Sequence, residues 1–353
     1  MKILIAGIAG FVGSRLARFF VDARSDLEVW GVDNLSRRGS ENNLAWLEEL
    51  GCHVIQGDIR CPTDLEPLPA MDWLVDCAAN PSVLAGLDGS AGSVIGHNLI
   101  GSLNLLERCR RDSSGFILVS TSRVYSIDAL TSLPLSKTAT RFELKDGISA
   151  AHGVGSEGIR EDFSTAAPVS LYGATKIASE VMALEYGHSF GLPVRINRCG
   201  VIAGAGQFGK ADQGIFSYWI HSYREQRPLK FIGYGGTGLQ FRDCLHPNDL
   251  ARLLLIQIDA GAAKDRPSIC NVSGGLRNGL SLRELNTWCG ERFGPHTIAS
   301  QPETRPMDVP WLALDPALAR RAWSWEPQIP VSKILDEIAE HAAAHPDWLR
   351  HYS

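Results

Sequence analysis

Tyr172 and Lys176 stand four residues apart in the segment Tyr172-Gly-Ala-Thr-Lys176. On a helix that spacing puts both heads on one face, where they can share a ligand. A phenol beside an ammonium gives up its proton more readily, because the positive charge stabilises the phenolate. The pair is then a base suited to an alcohol proton, and an acid on the way back. A tyrosine–lysine pair alone recurs by chance in many helices, so its context decides. Upstream, Ser120-Thr121-Ser122-Arg123-Val124-Tyr125 follows the apolar run 115–119. A hydroxyl there can hydrogen-bond an oxygen whose proton is leaving. The competing reading of Ser120 and Ser122 is turn chemistry, and Tyr125 reads as a half-buried packing residue.

A second pattern supplies a partner for that base. Gly7-x-x-Gly10-x-x-Gly13 follows one apolar run and opens a helical stretch. Glycines there allow a tight turn and close backbone approach to a pyrophosphate, which the free N–H groups of the helix start then hold. Twenty residues after Gly13 comes Asp33, placed to grip the adenosine ribose hydroxyls. A carboxylate there also repels a 2′-phosphate. At ~4 Å and an effective dielectric of ~20 the penalty is about 4 kcal/mol per unit charge, so NAD is expected over NADP. Arg37 and Arg38 follow and read as a solvated basic loop. Asp58 could reach the adenine or cap a helix.

These groups need a scaffold. Short apolar runs at 2–6, 27–32, 52–56, 73–77, 115–119 and 193–198 alternate with helical stretches near 12–22, 41–49, 91–111 and 171–190. Buried strands separated by helices predict an α/β fold, a doubly wound, Rossmann-like parallel sheet covered on both faces. A smaller C-terminal substrate domain is expected to be interleaved with it. Residues 1–200, with a returning part near 232–275, form the dinucleotide-binding domain; 201–231 and 276–353 form the substrate lobe. The stretch Pro302 to Pro310 reads as a surface-crossing loop.

With 353 residues, 44% hydrophobic and 21% charged, the chain has ample core and is not intrinsically disordered. Its net charge of −5 gives no basic field for DNA or RNA. The eight cysteines form no C-x-x-C pair and mostly lie in apolar runs, which predicts reduced core thiols and a cytoplasmic protein. The glycine-punctuated N-terminus is not read as a signal peptide, and no membrane span is expected. With no H-E-x-x-H, no metal site is expected; His246 and Asp249 fit a helix start better.

Together, the glycine triplet, Asp33, Thr121, Tyr172 and Lys176 resemble the extended short-chain dehydrogenase/reductase superfamily of NAD-dependent nucleotide-sugar epimerases and dehydratases. Asn98-Leu-Ile-Gly101, Arg242-Asp243-x-x-His246-x-x-Asp249 and Trp323-Ser-Trp325-x-Pro327 resemble further motifs of that family. Within it, three segments are most similar to the CDP-paratose 2-epimerases. They are Asp33-Asn-Leu-Ser-Arg-Arg-Gly39, Gly204-x-x-Gln207-Phe208-x-x-x-Asp212-Gln213-Gly214, and the insert from Thr140-Arg141-Phe142 to Glu161-Asp162-Phe163.

The resemblance implies Thr121 as hydroxyl partner, Tyr172 as acid/base and Lys176 as its activator and ribose ligand. It implies an NAD site formed by Gly7, Gly10, Phe11, Val12, Gly13, Asp33, Asn34, Ser36, Arg37, Asp58, Ile59, Ala78, Asn98 and Cys199, together with Tyr172 and Lys176. Ser122, Gln207, Arg242 and Arg305 would bind a nucleotide diphosphate sugar, the two arginines holding its phosphates. A homodimer through helices 91–111 and 171–190 is implied by the family alone. The implied activity is epimerisation: a sugar hydroxyl is oxidised to a ketone, the ketone turns, and hydride returns to its other face.

The chain also departs from the family. Dehydratases carry an acid two residues beyond the threonine to expel water, and this chain has Arg123 there. The frequent Asn-Val-Tyr-Gly is Val201-Ile202-Ala203-Gly204, and the arginine expected before Gln207 is Gly206. A 4-epimerase, a net sugar oxidoreductase that releases NADH, and a non-catalytic NAD-binding module are the competing readings.

Overall fold

The computed structural model describes residues 1–87, 89–145, 153–210, 213–263 and 265–352. Asp212 of the Gly204–Gly214 motif and residues 146–152 of the insert lie outside the described residues.

Seven strands form one sheet: β1 (Lys2–Ala6), β2 (Glu28–Asp33), β3 (His53–Gln56), β4 (Trp73–Asp76), β5 (Gly115–Thr121), β6 (Val194–Cys199) and β7 (Ile269–Val272), in the order β7-β6-β5-β4-β1-β2-β3. All neighbours run parallel. Side chains alternate between the two faces, as the pleat requires. Ile3, Ile5, Val75 and Ile117 point to one apolar layer, Leu4, Leu74, Phe116 and Leu118 to the other. The first layer is closed by helix α1 (Phe11–Ala23), whose Leu16 and Phe20 meet Leu250, Leu253 and Leu254 of a later helix. The second is closed by α2 (Gly101–Asp112) and α3 (Ser170–Phe190) through Leu105, Leu106, Cys109 and Ala183.

The helical stretch read at 91–111 is not continuous. Ala91–Ile95 passes through a π-helical turn, Gly96–Ile100, before α2 begins. Beyond β6 the chain leaves the sheet. Helix α4 (Ile215–Arg224) packs with α6 (Leu282–Phe293) and α7 (Val331–Ala344) around Trp219, Ile220, Leu285 and Ile338. A small sheet joins Val201–Ile202, Phe241–Leu245, Gly279–Ser281 and Trp311–Leu312. Between these, α5 (Pro247–Asp259) returns to cover α1, and β7 completes the large sheet. His246 caps α5, accepting a hydrogen bond at Nδ1 from the Asn248 amide at 3.1 Å.

Register carries the chemistry to one edge. Ala6 pairs with both Val32 and Asp76, and Thr121 with Cys199, so the turns after β1, β2, β4, β5 and β6 all emerge at the carboxyl ends. That edge is where open parallel sheets bind ligands.

Candidate active site

A cavity of about 770 Å³ lies between the carboxyl edge of the large sheet and the C-terminal lobe. Its floor is the glycine turn. Gly7 has φ +74°, and a Cβ on Gly13 would stand 2.2 Å from the Gly7 carbonyl oxygen, so only glycine lets α1 start this close. A Cβ on Gly7 would likewise press on Ala78 Cα at 3.0 Å. That cradle fits a pyrophosphate laid against the start of α1. Phe11, Val12, Ile59, Ala78 and Cys199 line the same space.

Asp33 ends β2 at the cavity wall, and its carboxylate accepts from the Ala9 amide at 3.0 Å and the Leu35 amide at 2.8 Å. Burial pushes its carboxyl above the usual range, opposed by the amides of Leu35, Ala9 and Gly10. It therefore braces the glycine turn as well as lining the cavity. Asn34 and Ser36 lie on the wall beside it. Arg37 is no solvated loop residue. It donates to the Phe208 carbonyl at 2.9 Å and to Gln213 Oε1 at 3.1 Å, tying the loop after β2 to the lobe. Arg15 makes a similar tie to the Ala205 carbonyl at 2.6 Å, and Trp348 Nε1 donates to the Gln207 carbonyl at 3.1 Å.

At the reacting end, Tyr172 and Lys176 project from α3, 7% and 1% exposed, onto the wall that Thr121 and Ser122 reach from β5. Lys176 Nζ donates to the Val119 carbonyl at 3.2 Å. Thr121 Oγ1 accepts from the Arg123 amide at 3.2 Å. The fit of α3 against this turn depends on Gly173, where a Cβ would lie 2.3 Å from the Arg123 carbonyl oxygen. Hydroxyl, phenol and ammonium thus share one surface with the glycine turn, an arrangement able to move a proton and a hydride at a carbinol carbon.

Two expected cofactor residues are not brought to the wall. Asp58 turns to Arg60, which forks onto it at 2.6 to 3.1 Å, and accepts from Asn34 Nδ2 at 3.1 Å. The Arg60 guanidinium holds its carboxyl well below the usual range. It caps no helix; its Oδ1 accepts from the amide of Arg60 two residues on. Asn98, fully buried in the π turn, accepts from the Asn80 amide at 2.8 Å and donates to the Asn80 carbonyl and to Thr175 Oγ1, both at 3.2 Å. It fastens the turn after β4 to the segment of α3 that bears Tyr172 and Lys176.

Gln207, Arg242 and Arg305 reach the lobe side of the cavity. Arg242 is heavily committed to protein: it donates to the Phe241 carbonyl at 2.7 Å, the Val309 carbonyl at 2.7 Å and Asp308 Oδ1 at 3.0 Å. The segment Pro302–Pro310 does not simply cross the surface. Arg305, Pro306 and Asp308 line the cavity and Val309 is fully buried. Arg123 also lines the cavity, a residue read earlier only as a missing acid. Tyr125 is not half-buried but 1% exposed, and its hydroxyl donates to Asn271 Oδ1 at 2.6 Å. No group of histidine, cysteine or acidic residues among the described residues is arranged to hold a metal, and none of the described helices is long and apolar enough to cross a membrane.

A dinucleotide cradle on a doubly wound sheet, facing a threonine–tyrosine–lysine set, defines the extended short-chain dehydrogenase/reductase class. Residues 3–273 match the model of the NAD dependent epimerase/dehydratase family; the chain belongs to that family, and its cofactor is NAD. It is 33% identical over 293 residues to CDP-paratose 2-epimerase of Salmonella typhi, covering 81% of this chain and 82% of that one. It is 26% identical over 346 residues to UDP-glucuronate 4-epimerase of Thermodesulfobacterium geofontis, covering 94% and 93%. Among solved structures, UDP-glucuronic acid 4-epimerase from Bacillus cereus, in complex with UDP-glucuronic acid and NAD, superposes with a TM-score of 0.76 at 22% identity, over 98% of this chain and 99% of that one.

Proposed function

We propose that the protein is a nucleotide-sugar epimerase that inverts a hydroxyl-bearing carbon through a transient ketone, in the manner of CDP-paratose 2-epimerase. The observation that carries this reading is the shared wall of Thr121, Tyr172 and Lys176, with Arg123 where a dehydratase would place an acid. NAD, when bound, supplies the hydride acceptor and donor. The chain's own residues do the rest. Tyr172 takes the hydroxyl proton and returns it, Lys176 keeps positive charge beside the phenol, and Thr121 holds the reacting oxygen. The buried position of Lys176 limits the water that could screen that charge. A guanidinium at Arg123 cannot protonate a leaving hydroxyl as a carboxylic acid does, which speaks against dehydration.

The remaining assignments rest on this reading. Residues 1–200, with a return near 232–275, serve the cofactor, and 201–231 with 276–353 serve the substrate, a nucleotide diphosphate sugar. A cytoplasmic location suits the free cysteines, six of which are buried. Ile95, Ile100, Val181 and Phe190 lie on the helical segments 91–112 and 170–190 with 41 to 59% of their surface exposed, which supports a homodimer formed there; light scattering distinguishes one chain from two.

The test is Tyr172→Phe in purified enzyme supplied with CDP-, UDP-, GDP- and dTDP-sugars. Activity should fall about 10²- to 10⁴-fold while bound NAD is retained. Full activity in this variant overturns the mechanism. Reduced cofactor accumulating in step with turnover selects the net oxidoreductase instead.

A further inference from the structure

The wall beside Tyr172 carries more positive charge than the protein balances. Arg242 lies close enough to lower Arg123's hold on a proton; Asp308 offsets that effect and pairs with Arg242 at 3.0 Å. Arg242 spends its bonds on Phe241, Asp308 and Val309. Arg123 does not. Its side chain makes one hydrogen bond among the described residues, a 3.5 Å donation from Nη1 to the Met307 carbonyl, and its remaining guanidinium N–H groups meet no protein acceptor there. Burial, and then Arg242, bring its guanidinium down to about 10 from the usual range. Its open donors lie at the cavity wall, beside a like charge, where the acceptor of a ligand can reach them.

Position narrows what would satisfy it. Arg123 directly follows Thr121 and Ser122, and its carbonyl packs against Gly173, next to Tyr172. Its side chain lines the same cavity as Tyr172. The ligand group it meets therefore lies at the reacting end, not at the adenosine end where Asp33 sits. A guanidinium with open donors matches the paired oxygens of a phosphate or a carboxylate.

We propose that Arg123 is a substrate-binding residue that forks onto an oxyanion of the sugar nucleotide at the reacting end. That oxyanion is either the phosphate nearest the sugar or a carboxylate carried by the sugar. This rests on the nucleotide-sugar reading above and adds to it the residue that holds the substrate beside Tyr172.

The test measures binding of CDP, UDP-glucose and UDP-glucuronate to the NAD-loaded enzyme by calorimetry, in wild type, Arg123→Gln and Arg123→Lys. Arg123→Gln should weaken the affected ligands roughly 10- to 100-fold, the range for a charged hydrogen-bonded contact. Equal weakening of all three identifies the phosphate. Weakening confined to UDP-glucuronate identifies a sugar carboxylate. Arg123→Lys, which keeps the charge and loses the fork, should fall between wild type and Arg123→Gln. Bound NAD and melting temperature should stay at wild-type levels. Affinities within twofold of wild type for every ligand overturn the proposal while leaving the epimerase reading intact. If Arg123→Gln does not fold, Arg123→Lys decides alone, and wild-type affinity in it is the refuting result. A wild-type enzyme that holds NAD yet binds none of the three ligands, nor a GDP- or dTDP-sugar, overturns both.

Discussion

Replacing Gly173 with alanine puts one methyl group where the active site has no room for it. The new Cβ would stand 2.3 Å from the Arg123 carbonyl oxygen and 3.1 Å from the Val169 Cβ, whereas ordinary contact begins at 3.4 Å. About 1 Å must be found, either by α3 moving away from β5 or by the Thr121–Tyr125 turn giving way. Two energies compete. Alanine gains roughly 1 kcal/mol of helix propensity over glycine, and overpacking costs about 1–3 kcal/mol. The net change in stability is therefore small, on the order of 0 to 2 kcal/mol of loss. Catalysis has no such compensation. Tyr172 and Thr121 lie on the two surfaces being forced apart, and a misplacement of ~1 Å costs on the order of 10²-fold in rate. The assay is turnover on the sugar nucleotide that wild type accepts, with NAD content and melting temperature measured on the same preparation. The expected result is near-normal NAD and melting with a hundredfold loss of turnover. More than half the wild-type rate, or a melting point raised by the full propensity gain, would refute the packing of α3 on this turn.

Asp33→Ala removes the acceptor for the Ala9 and Leu35 amides, so the glycine turn should loosen by roughly 1–3 kcal/mol and NAD content should drop. The affinity gap between NAD and NADP should also narrow, because the repelling carboxylate is gone; an unchanged gap counts against Asp33 as the selector. A separate prediction concerns the pair His221 and His341, with Nε2 and Nδ1 3.4 Å apart. Burial, then Arg224 and His345, hold His221 down to about 4; burial, then His345, His221 and Arg15, hold His341 down to about 3. Both folded values lie below the unfolded ~6.5, so between those limits the unfolded chain binds protons that the folded one does not. Stability present above pH ~6.5 should be lost as pH falls toward 4, His221 contributing on the order of 3 kcal/mol. Thermal melts across that window should slope downward with acid in wild type and less steeply in His221→Phe; equal slopes dismiss the pair as the cause.

Six strands of the large sheet were legible to within two residues, β1 and β4 most plainly because parallel strands buried on both faces read as apolar runs. The seventh, Ile269–Val272, was not; it is four residues long, and its fully buried Asn271 serves Tyr125 and the Ile159 carbonyl. The π turn at Gly96–Ile100 left no mark in the sequence either, as its residues suit an ordinary helix. In the site, spacing put Tyr172 and Lys176 on one helix face because local periodicity sets their direction, whereas Thr121, on a strand 51 residues upstream, was joined to them by the resemblance. It could not tell whether Asn98 faces the cavity or its neighbours, which depends on Asn80 and Thr175 brought in from other elements, nor that Asp58 would turn to Arg60 two residues on rather than to the cavity. Asp308 was hidden for a different reason, lying in a proline-rich stretch whose composition resembles any surface loop.

The closure of α1 by α5 has a consequence for how the protein is made. Leu16 and Phe20 leave the ribosome early, and their partners Leu250, Leu253 and Leu254 follow more than two hundred residues later. At about 5–20 residues per second, that is an interval on the order of ten to fifty seconds. Throughout it, the outer apolar side of α1 and the part of the sheet face that α5 will share with it are uncovered, and once β6 is made it has no outer neighbour until β7 arrives. The half-made chain is thus a natural client for chaperones that shield exposed apolar surface, and crowded synthesis without them favours aggregation over folding.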